Sequence, residues 1–94
     1  MSKKWYFYVL SCSDKSFYTG VTTDIKRRLK EHNLKKGAKY TRSRTPVFIL
    51  YSREMKNRST AQKLESAFKK LTRENKLKKM VEMVEEDFYK NSLS

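Results

Sequence analysis

The sequence is poor in the residues that most chemistry-bearing motifs require. Its 94 residues hold one cysteine, Cys12, which rules out an internal disulfide and every multi-cysteine zinc motif. The single histidine, His32, rules out a His-rich metal site and the paired-histidine zinc helix. With only Gly20 and Gly37, there is no glycine-rich phosphate loop. No apolar run is long enough to span a bilayer. The start, Met1-Ser2-Lys3-Lys4 and then Trp5 to Leu10, has an apolar stretch shorter than a signal peptide needs. Ser11-Cys12-Ser13-Asp14 then ends it without a good cleavage site. These absences lead to the expectation of a soluble chain in a reducing, cytoplasmic compartment.

Acid is scarce as well. Ten Asp+Glu face 23 Lys+Arg, a formal charge of +13. The length suits one domain, 1–94. A 13% aromatic share supplies the groups that disordered chains lack. The charge is uneven. Residues 82–94 carry −3, from Glu82, Glu85, Glu86 and Asp87 against Lys90, so residues 1–81 carry +16. Between Lys26 and Arg44 nine bases (Lys26, Arg27, Arg28, Lys30, Lys35, Lys36, Lys39, Arg42 and Arg44) face one acid, Glu31. Such a run is commonly a solvated face. A bias this strong repels itself and is relieved by a polyanion. Tyr40 lies inside the run, where an aromatic ring can stack on a base or sugar. Nucleic acid is therefore the expected partner. A membrane surface is not, since the run lacks the apolar helix face that interfacial binding needs.

The pattern predicts the order β-β-α-β-α-α. Lys3 to Leu10 is aromatic and branched on both faces, with Trp5, Phe7 and Val9 on one and Tyr6, Tyr8 and Leu10 on the other. It reads as a central strand. Phe17 to Val21 follows after a short turn and completes a hairpin. Asp24 to His32 is helical, with Ile25 and Leu29 as its stripe and Asn33 as its stop. Residues 33–45 read as loop. Val47 to Tyr51, after Pro46, is apolar without a break and reads as a strand buried on both faces. Ser59-Thr60-Ala61-Gln62 fits a capping box led by Ser59, opening a helix that buries Ala61, Leu64, Phe68 and Leu71. Thr72 is placed to cap a last helix that buries Leu77, Met80, Val81, Val84 and Phe88 and ends near residue 89. Asn91 to Ser94 reads as a frayed tail.

Polar groups at the edges of these apolar faces are the candidates for chemistry. Glu65 lies four residues after Ala61 and three before Phe68, where a carboxylate needs a cation or a metal. A salt bridge to one of the many bases satisfies it equally well on position alone. Arg28 and His32, spaced i, i+4, flank Leu29. On spacing alone, His32 is a helix-terminal residue whose charge suits the dipole. Tyr8 and Tyr18 share a face if even positions pair with even positions, a register the sequence leaves open. A phenol, an arginine, a histidine and one inward carboxylate on a basic surface suit phosphodiester hydrolysis, among several options. The carboxylate would hold one hard cation such as Mg²⁺, the arginine would neutralise phosphate, and a tyrosine would position or deprotonate water.

At these residues the chain resembles the GIY-YIG nuclease family, over about residues 4–80. Tyr6-Phe7-Tyr8 stands where the first motif would be and Tyr18-Thr19-Gly20 where the second would be. Arg28 follows Tyr18 by ten positions, His32 follows Arg28 by four, and Glu65 lies in Ser59-Thr60-Ala61-Gln62-Lys63-Leu64-Glu65. Gly37 to Arg42 and Lys69 to Arg73 are similar to the small stand-alone bacterial members of the YhbQ/YazA type. The resemblance implies an α+β fold with a three-stranded antiparallel sheet packed with helices. It also implies a Mg²⁺-dependent endonuclease. In that family frame Tyr8 looks like the general base or water-orienting phenol, and Tyr18 like its partner at the scissile phosphate. Arg28 looks like the phosphate clamp, His32 like the support of the tyrosines, Glu65 like the metal ligand, and Gly20 like a place of close backbone approach. Asn75 is a possible counterpart of the family's asparagine. Lys26, Arg27, Lys35, Lys36, Lys39, Tyr40, Arg42 and Arg44 are the expected DNA-binding surface. Most characterised members carry a separate DNA-recognition domain for which this length leaves no room, so weakly sequence-selective or structure-selective cleavage is expected. Two rival expectations are a catalytically silent nucleic-acid-binding module, and a nuclease that needs a protein partner, docked through Glu82 to Asp87.

Overall fold

The computed structural model describes residues 3–93, so the expectations that fall on Met1, Ser2 and Ser94 lie outside it. The elements run β1 (Trp5–Ser11), β2 (Phe17–Thr22), α1 (Ile25–Asn33), a 3₁₀ turn (Lys39–Thr41), β3 (Phe48–Met55), α2 (Arg58–Lys69) and α3 (Arg73–Leu93). The order is β-β-α-β-α-α. The strands form one antiparallel sheet ordered β2-β1-β3. β1 is central because both of its faces are apolar, and Phe7, Tyr8, Val9 and Leu10 are all buried.

Strand alternation divides the interior in two. Phe7 and Val9 point to one face, where they meet Tyr51 of β3, Phe68 of α2 and Met80 and Met83 of α3. Phe7 packs edge-on against Phe68, with ring centroids 5.3 Å apart. Tyr8 and Leu10 point to the other face, with Cys12, Val47 and, from α1, Ile25 and Leu29. The helices thus lie on both sides of the sheet, α1 on the Tyr8 side and α2 with α3 on the Phe7 side.

Several local expectations change. β3 is an edge strand, and Leu10 of β1 pairs with Ile49 where regular register would give Leu50. The extra residue is a bulge, and it turns Leu50 outward. Phe48 is 64% exposed and Leu50 46%, so the apolar run from Val47 to Tyr51 is not buried on two faces. The cap of α2 is Asn57, not Ser59. Its side chain accepts from the Thr60 amide at 2.9 Å, and the Thr60 hydroxyl accepts from the Asn57 amide at 3.2 Å. A capping box therefore exists two residues earlier, and Ser59 is inside the first turn. Thr72 does cap α3, accepting from the Asn75 amide at 3.2 Å. The helix buries Met80 and Met83, while Leu77, Val81, Val84 and Phe88 are mostly exposed. It also continues through Leu93, past the tail expected from Asn91.

The ends of α3 are anchored by polar contacts rather than by a continuous stripe. Arg73 donates to the Lys15 carbonyl at 2.6 Å and covers the Phe17 ring. At the other end the Tyr51 hydroxyl donates to Asp87 at 2.7 Å, and Arg53 bridges Glu86 and Asp87 at 3.1 and 2.9 Å. Two of the four acids in the C-terminal run are thus spent inside the chain. Burial and the Asp87 carboxylate push the Tyr51 hydroxyl pKa well up.

Phe68 and Phe48 separate the buried face from the open one. Phe68→Ala should cost about 3–5 kcal/mol of stability in urea unfolding, whereas Phe48→Ala should stay within about 0.5 kcal/mol of the parent. Equal losses would contradict the outward placement of Phe48.

Candidate active site

The sheet register decides the first question about the site. Leu10 pairs with Tyr18 and Tyr8 with Gly20, so even positions face even positions and the two tyrosines share a face. Helix α1 lies over that face. Its cap is Asp24, which accepts from the Arg27 amide at 3.0 Å, and the Thr22 hydroxyl accepts from the Asp24 amide at 3.1 Å. At its far end the Asn33 side chain donates to the Val47 carbonyl at 3.0 Å and accepts from the Val47 amide at 2.7 Å. This two-way clamp ties the helix end to the chain entering β3. From the sequence alone Asn33 reads as a simple stop.

Between these two fastenings α1 presents His32 to Tyr8. His32 is fully buried, and its Nε2 lies 3.0 Å from the Tyr8 hydroxyl. It is therefore not the solvated helix-terminal cation that spacing alone allowed. Its Nδ1 lies 2.8 Å from Thr41 Oγ1, and the Thr41 hydroxyl donates to the Ala38 carbonyl at 2.9 Å. A hydroxyl has one hydrogen. With that hydrogen given to Ala38, Thr41 can only accept from Nδ1–H, which leaves Nε2 bare to accept from the Tyr8 hydroxyl. The chain of hydrogen bonds thus runs from Tyr8 to His32 to Thr41 to Ala38. Among the described residues no buried side-chain nitrogen or oxygen lacks a partner. Thr41, on the 3₁₀ turn, is a site residue that sequence reasoning missed. No pattern around it stands out, because its role depends on a loop folding back over nine residues.

Both glycines border this pair of rings. A Cβ on Gly20 would strike the Tyr8 hydroxyl and ring carbon, and a Cβ on Gly37 would strike Nδ1 of His32. Gly20 makes room for the Tyr8 phenol across the strand pair, and Gly37 makes room for the imidazole behind it.

Burial pushes the Tyr8 pKa up to about 12, with the Tyr18 hydroxyl and Glu65 adding to the rise and Arg28 opposing it. Burial, and then the Arg28 charge, pull the His32 pKa down to about 4. Both groups are therefore neutral at physiological pH. Arg28 reaches toward Tyr8 while its Nη1 holds Glu31 at 3.1 Å. Tyr18 meets the edge of His32, with centroids 5.2 Å apart, and stacks on Tyr40 at 6.0 Å. The Arg44 guanidinium caps Tyr40, 3.9 Å from its centroid. Arg44 is further committed to Asp14 at 2.9 Å and to the Tyr40 carbonyl at 2.7 Å. It builds the column of rings more than it offers a charge to a ligand.

Glu65 of α2 has a side chain about one-fifth exposed and bridges to Lys69 at 3.3 Å. No group of three His, Cys, Asp or Glu is placed to hold a metal ion among the described residues. That donor set does not suit zinc or an all-protein calcium cage. It suits Mg²⁺, which keeps most of its waters and takes one or two carboxylates plus substrate phosphate oxygens. Lys26, Arg27, Lys35, Lys36, Lys39 and Arg42 are exposed around α1 and the following loop, with Tyr40 among them. Lys35 adopts a left-handed backbone, φ 63°, just after α1. Asn75 lies on the exposed first turn of α3, and no hydrogen bond among the described residues joins it to Tyr8, Arg28, His32 or Glu65.

Comparison with known proteins gives the family and the fold. The family described as the GIY-YIG catalytic domain matches residues 4–78. The chain is 56% identical to a UPF0213 protein of Streptococcus agalactiae over 72 residues, 77% of this chain and 82% of that one. It superposes on the solution structure of an E. faecalis protein with a TM-score of 0.60 at 45% identity, covering 88% of this chain and 90% of that one. It also superposes on a UPF0213 protein from Bacillus halodurans with a TM-score of 0.54 at 40% identity, covering 85% and 84%. No helix among the described residues is long and apolar enough to cross a membrane.

Two measurements test the buried pair. The ¹⁵N shifts of His32 should show the Nδ1–H tautomer at neutral pH, and the Nε2–H form would contradict the hydrogen-bond order. Stability should also depend on pH through His32. Because its folded pKa is held below the ordinary 6.5, the unfolded chain takes the proton first as pH falls. The contribution is complete above pH 6.5 and is lost as pH drops toward about 4, by about 3 kcal/mol in all. His32→Gln should lack this component in urea titrations, and an unaltered pH slope in the variant would refute it.

Proposed function

The chain belongs to the GIY-YIG family, and from that premise we propose that it is a Mg²⁺-dependent endonuclease hydrolysing DNA phosphodiester bonds. The observation that carries the reading is the hydrogen bond between the Tyr8 hydroxyl and a neutral, buried His32, beside the fixed charge of Arg28. A phenol whose pKa is near 12 is a poor base at neutral pH when it must ionise first. It becomes an effective one if it gives its own proton to Nε2 of His32 as it takes one from water. The hydroxide so formed attacks phosphorus, and one phosphorus–oxygen bond breaks. The leaving oxygen takes a proton from solvent water, so the two DNA ends are a phosphate and a hydroxyl. Arg28 neutralises the non-bridging oxygens as charge grows on them, and the Tyr18 hydroxyl orients the same group. Thr41 keeps the imidazole in the tautomer that can receive the proton. Glu65 would hold the metal ion, which when bound supplies further neutralisation of the phosphate.

The exposed bases around α1 and its loop provide the sequence-independent attraction to the DNA backbone. Tyr40, stacked on Tyr18 and capped by Arg44, offers its exposed edge and hydroxyl to the DNA backbone. Contacts to the backbone favour a DNA structure over a sequence motif. The Lys69–Glu65 ion pair favours a second reading, a binding module without catalysis, in which Lys69 takes the place of the metal.

Incubation with nicked, branched and linear DNA, with and without Mg²⁺, tests the two readings. Tyr8→Phe should slow cleavage by about 10²–10⁴-fold while DNA binding is kept, and Arg28→Ala should slow it by about 10²–10³-fold. Cleavage that survives Glu65→Ala would remove that residue from the metal site. Binding without cleavage of any substrate would favour the silent module. The rate should be nearly flat from about pH 6 to about pH 9, since His32 stays neutral and Tyr8 protonated throughout. A rise of tenfold per pH unit would mean that the free phenolate is the base. Neutralising Lys35, Lys36 and Lys39 should lower the salt dependence of binding, by about 0.9 in the log–log slope for each phosphate no longer neutralised.

A further inference from the structure

The outer face of α3 is not built like a surface that meets only water. Leu77, Val81 and Val84 lie along it, 44, 57 and 51% exposed. Their spacing is four and then three residues, and Phe88 continues it with another step of four. That is the alternation of a heptad seam, with a period of 3.5 rather than 3.6. Beside the seam the bulged Leu50 of β3 turns outward. Together they edge a groove of about 450 Å³, floored by Tyr51 and Met80.

The charges that flank the seam reverse along the helix. Arg73, Lys76, Lys78 and Lys79 outweigh Glu74 in the first half, and Glu82, Glu85, Glu86 and Asp87 outweigh Lys90 in the second. Glu86 and Asp87 are held by Arg53, which leaves Glu82 and Glu85 exposed beside the seam. A helix with an apolar stripe, a basic first half and an acidic second half is complementary to itself turned end for end. Aligned in parallel, two copies would set Lys78 against Lys78 and Glu85 against Glu85. Aligned antiparallel, they set each Lys78 near Glu85 of the other copy, with Val81 of one copy meeting Val84 of the other.

We propose that the chain forms a two-fold homodimer through antiparallel pairing of α3, with the Val81–Val84 stretch of each copy seated against the groove beside Leu50 of the other. The interface is isologous, so the contacts repeat on both sides of the axis. It is independent of the catalytic reading, because α3 packs on the Phe7 face of the sheet and Tyr8 and α1 lie on the opposite face. A seam of about two heptads is short for a coiled coil, so the affinity should be about micromolar rather than tighter.

Sedimentation equilibrium of the full chain across the micromolar range should show a monomer–dimer equilibrium. Val81→Glu should raise the dissociation constant at least about tenfold by burying an unpaired carboxylate at the seam. Because Val81 is exposed in one copy, the melting temperature of the diluted protein should not move. Lys78→Glu alone and Glu85→Lys alone should each weaken the dimer, since each sets like charges together. An equimolar mixture of the two variants should recover it as a heterodimer. A monomer at every concentration would overturn the proposal, as would a dimer indifferent to Val81→Glu. A dimer that weakens with Val81→Glu and ignores both charge reversals would overturn the antiparallel order.

Discussion

The hydrogen bond from Tyr8 to His32 is the constraint on which the active face depends. It joins the central strand to the helix above it, between groups 24 residues apart in sequence. Holding two polar rings in a dry interior is unfavourable unless every polar atom is answered. The structure answers them in series, through Thr41 and Ala38. Each link then demands something local. The imidazole needs Gly37 behind it, and the phenol needs Gly20 across the strand pair. The helix needs fixed ends, which Asp24 and Asn33 supply. Much of what looks irregular between residues 33 and 47 is the path the chain takes to bring Thr41 and Gly37 to one ring.

The same bond links stability with chemistry. Burial holds His32 neutral and Tyr8 protonated. For the fold this removes a buried charge, and for a proton relay it leaves one lone pair vacant beside one transferable hydrogen. Arg28 contributes to both. Its charge disfavours a second cation on His32 and draws the phenol toward ionisation, while its ion pair with Glu31 keeps it on the surface of α1. A lysine in its place would carry the charge without the flat fork that can hold Glu31 and face a phosphate together.

The features legible in the sequence were those set by strong local signals. β1 reads as central because its two faces are equally apolar, and that observation places Tyr8 on one side and Phe7 on the other. The i, i+4 spacing of Arg28 and His32 put both on one side of α1. Errors arose where tertiary context overruled the local pattern. Val47 to Tyr51 reads as doubly buried, but β3 is at the edge and a bulge at Leu50 reverses the alternation. The α3 stripe reads as core from Leu77 to Phe88, but of its residues only Met80 is buried, and Met83, outside the stripe, fills the rest of the space and sets the helix rotation. Ser59 has the composition of a cap, yet Asn57 precedes it with a better geometry. Thr41 and Asn33 were invisible as site builders because their partners are remote in sequence.

Alternation along one strand gives this small domain two faces, which α2 connects: it packs on the Phe7 face, yet the charge of its Glu65 is felt at Tyr8. Even residues of β1 serve the site under α1, and odd residues serve the core under α2 and α3. Substitutions on the outer face of α3 therefore need not disturb the site, which is why closely fitted rings can share a sheet with a helix whose valines lie at the surface. The net charge follows the same division. The bases of the loop and of α1 gather on the side of Tyr8, and the acids gather at the end of α3 on the side of Phe7. Residues 58–93, which hold α2 and α3, still carry nine bases against six acids, so the acids at the end of α3 make that side less attractive to a polyanion without making it repulsive. The denser positive charge thus lies on the side that holds the phenol and the imidazole, where the proposed nuclease reading needs it, while the acid-rich half of α3 lies on the other side.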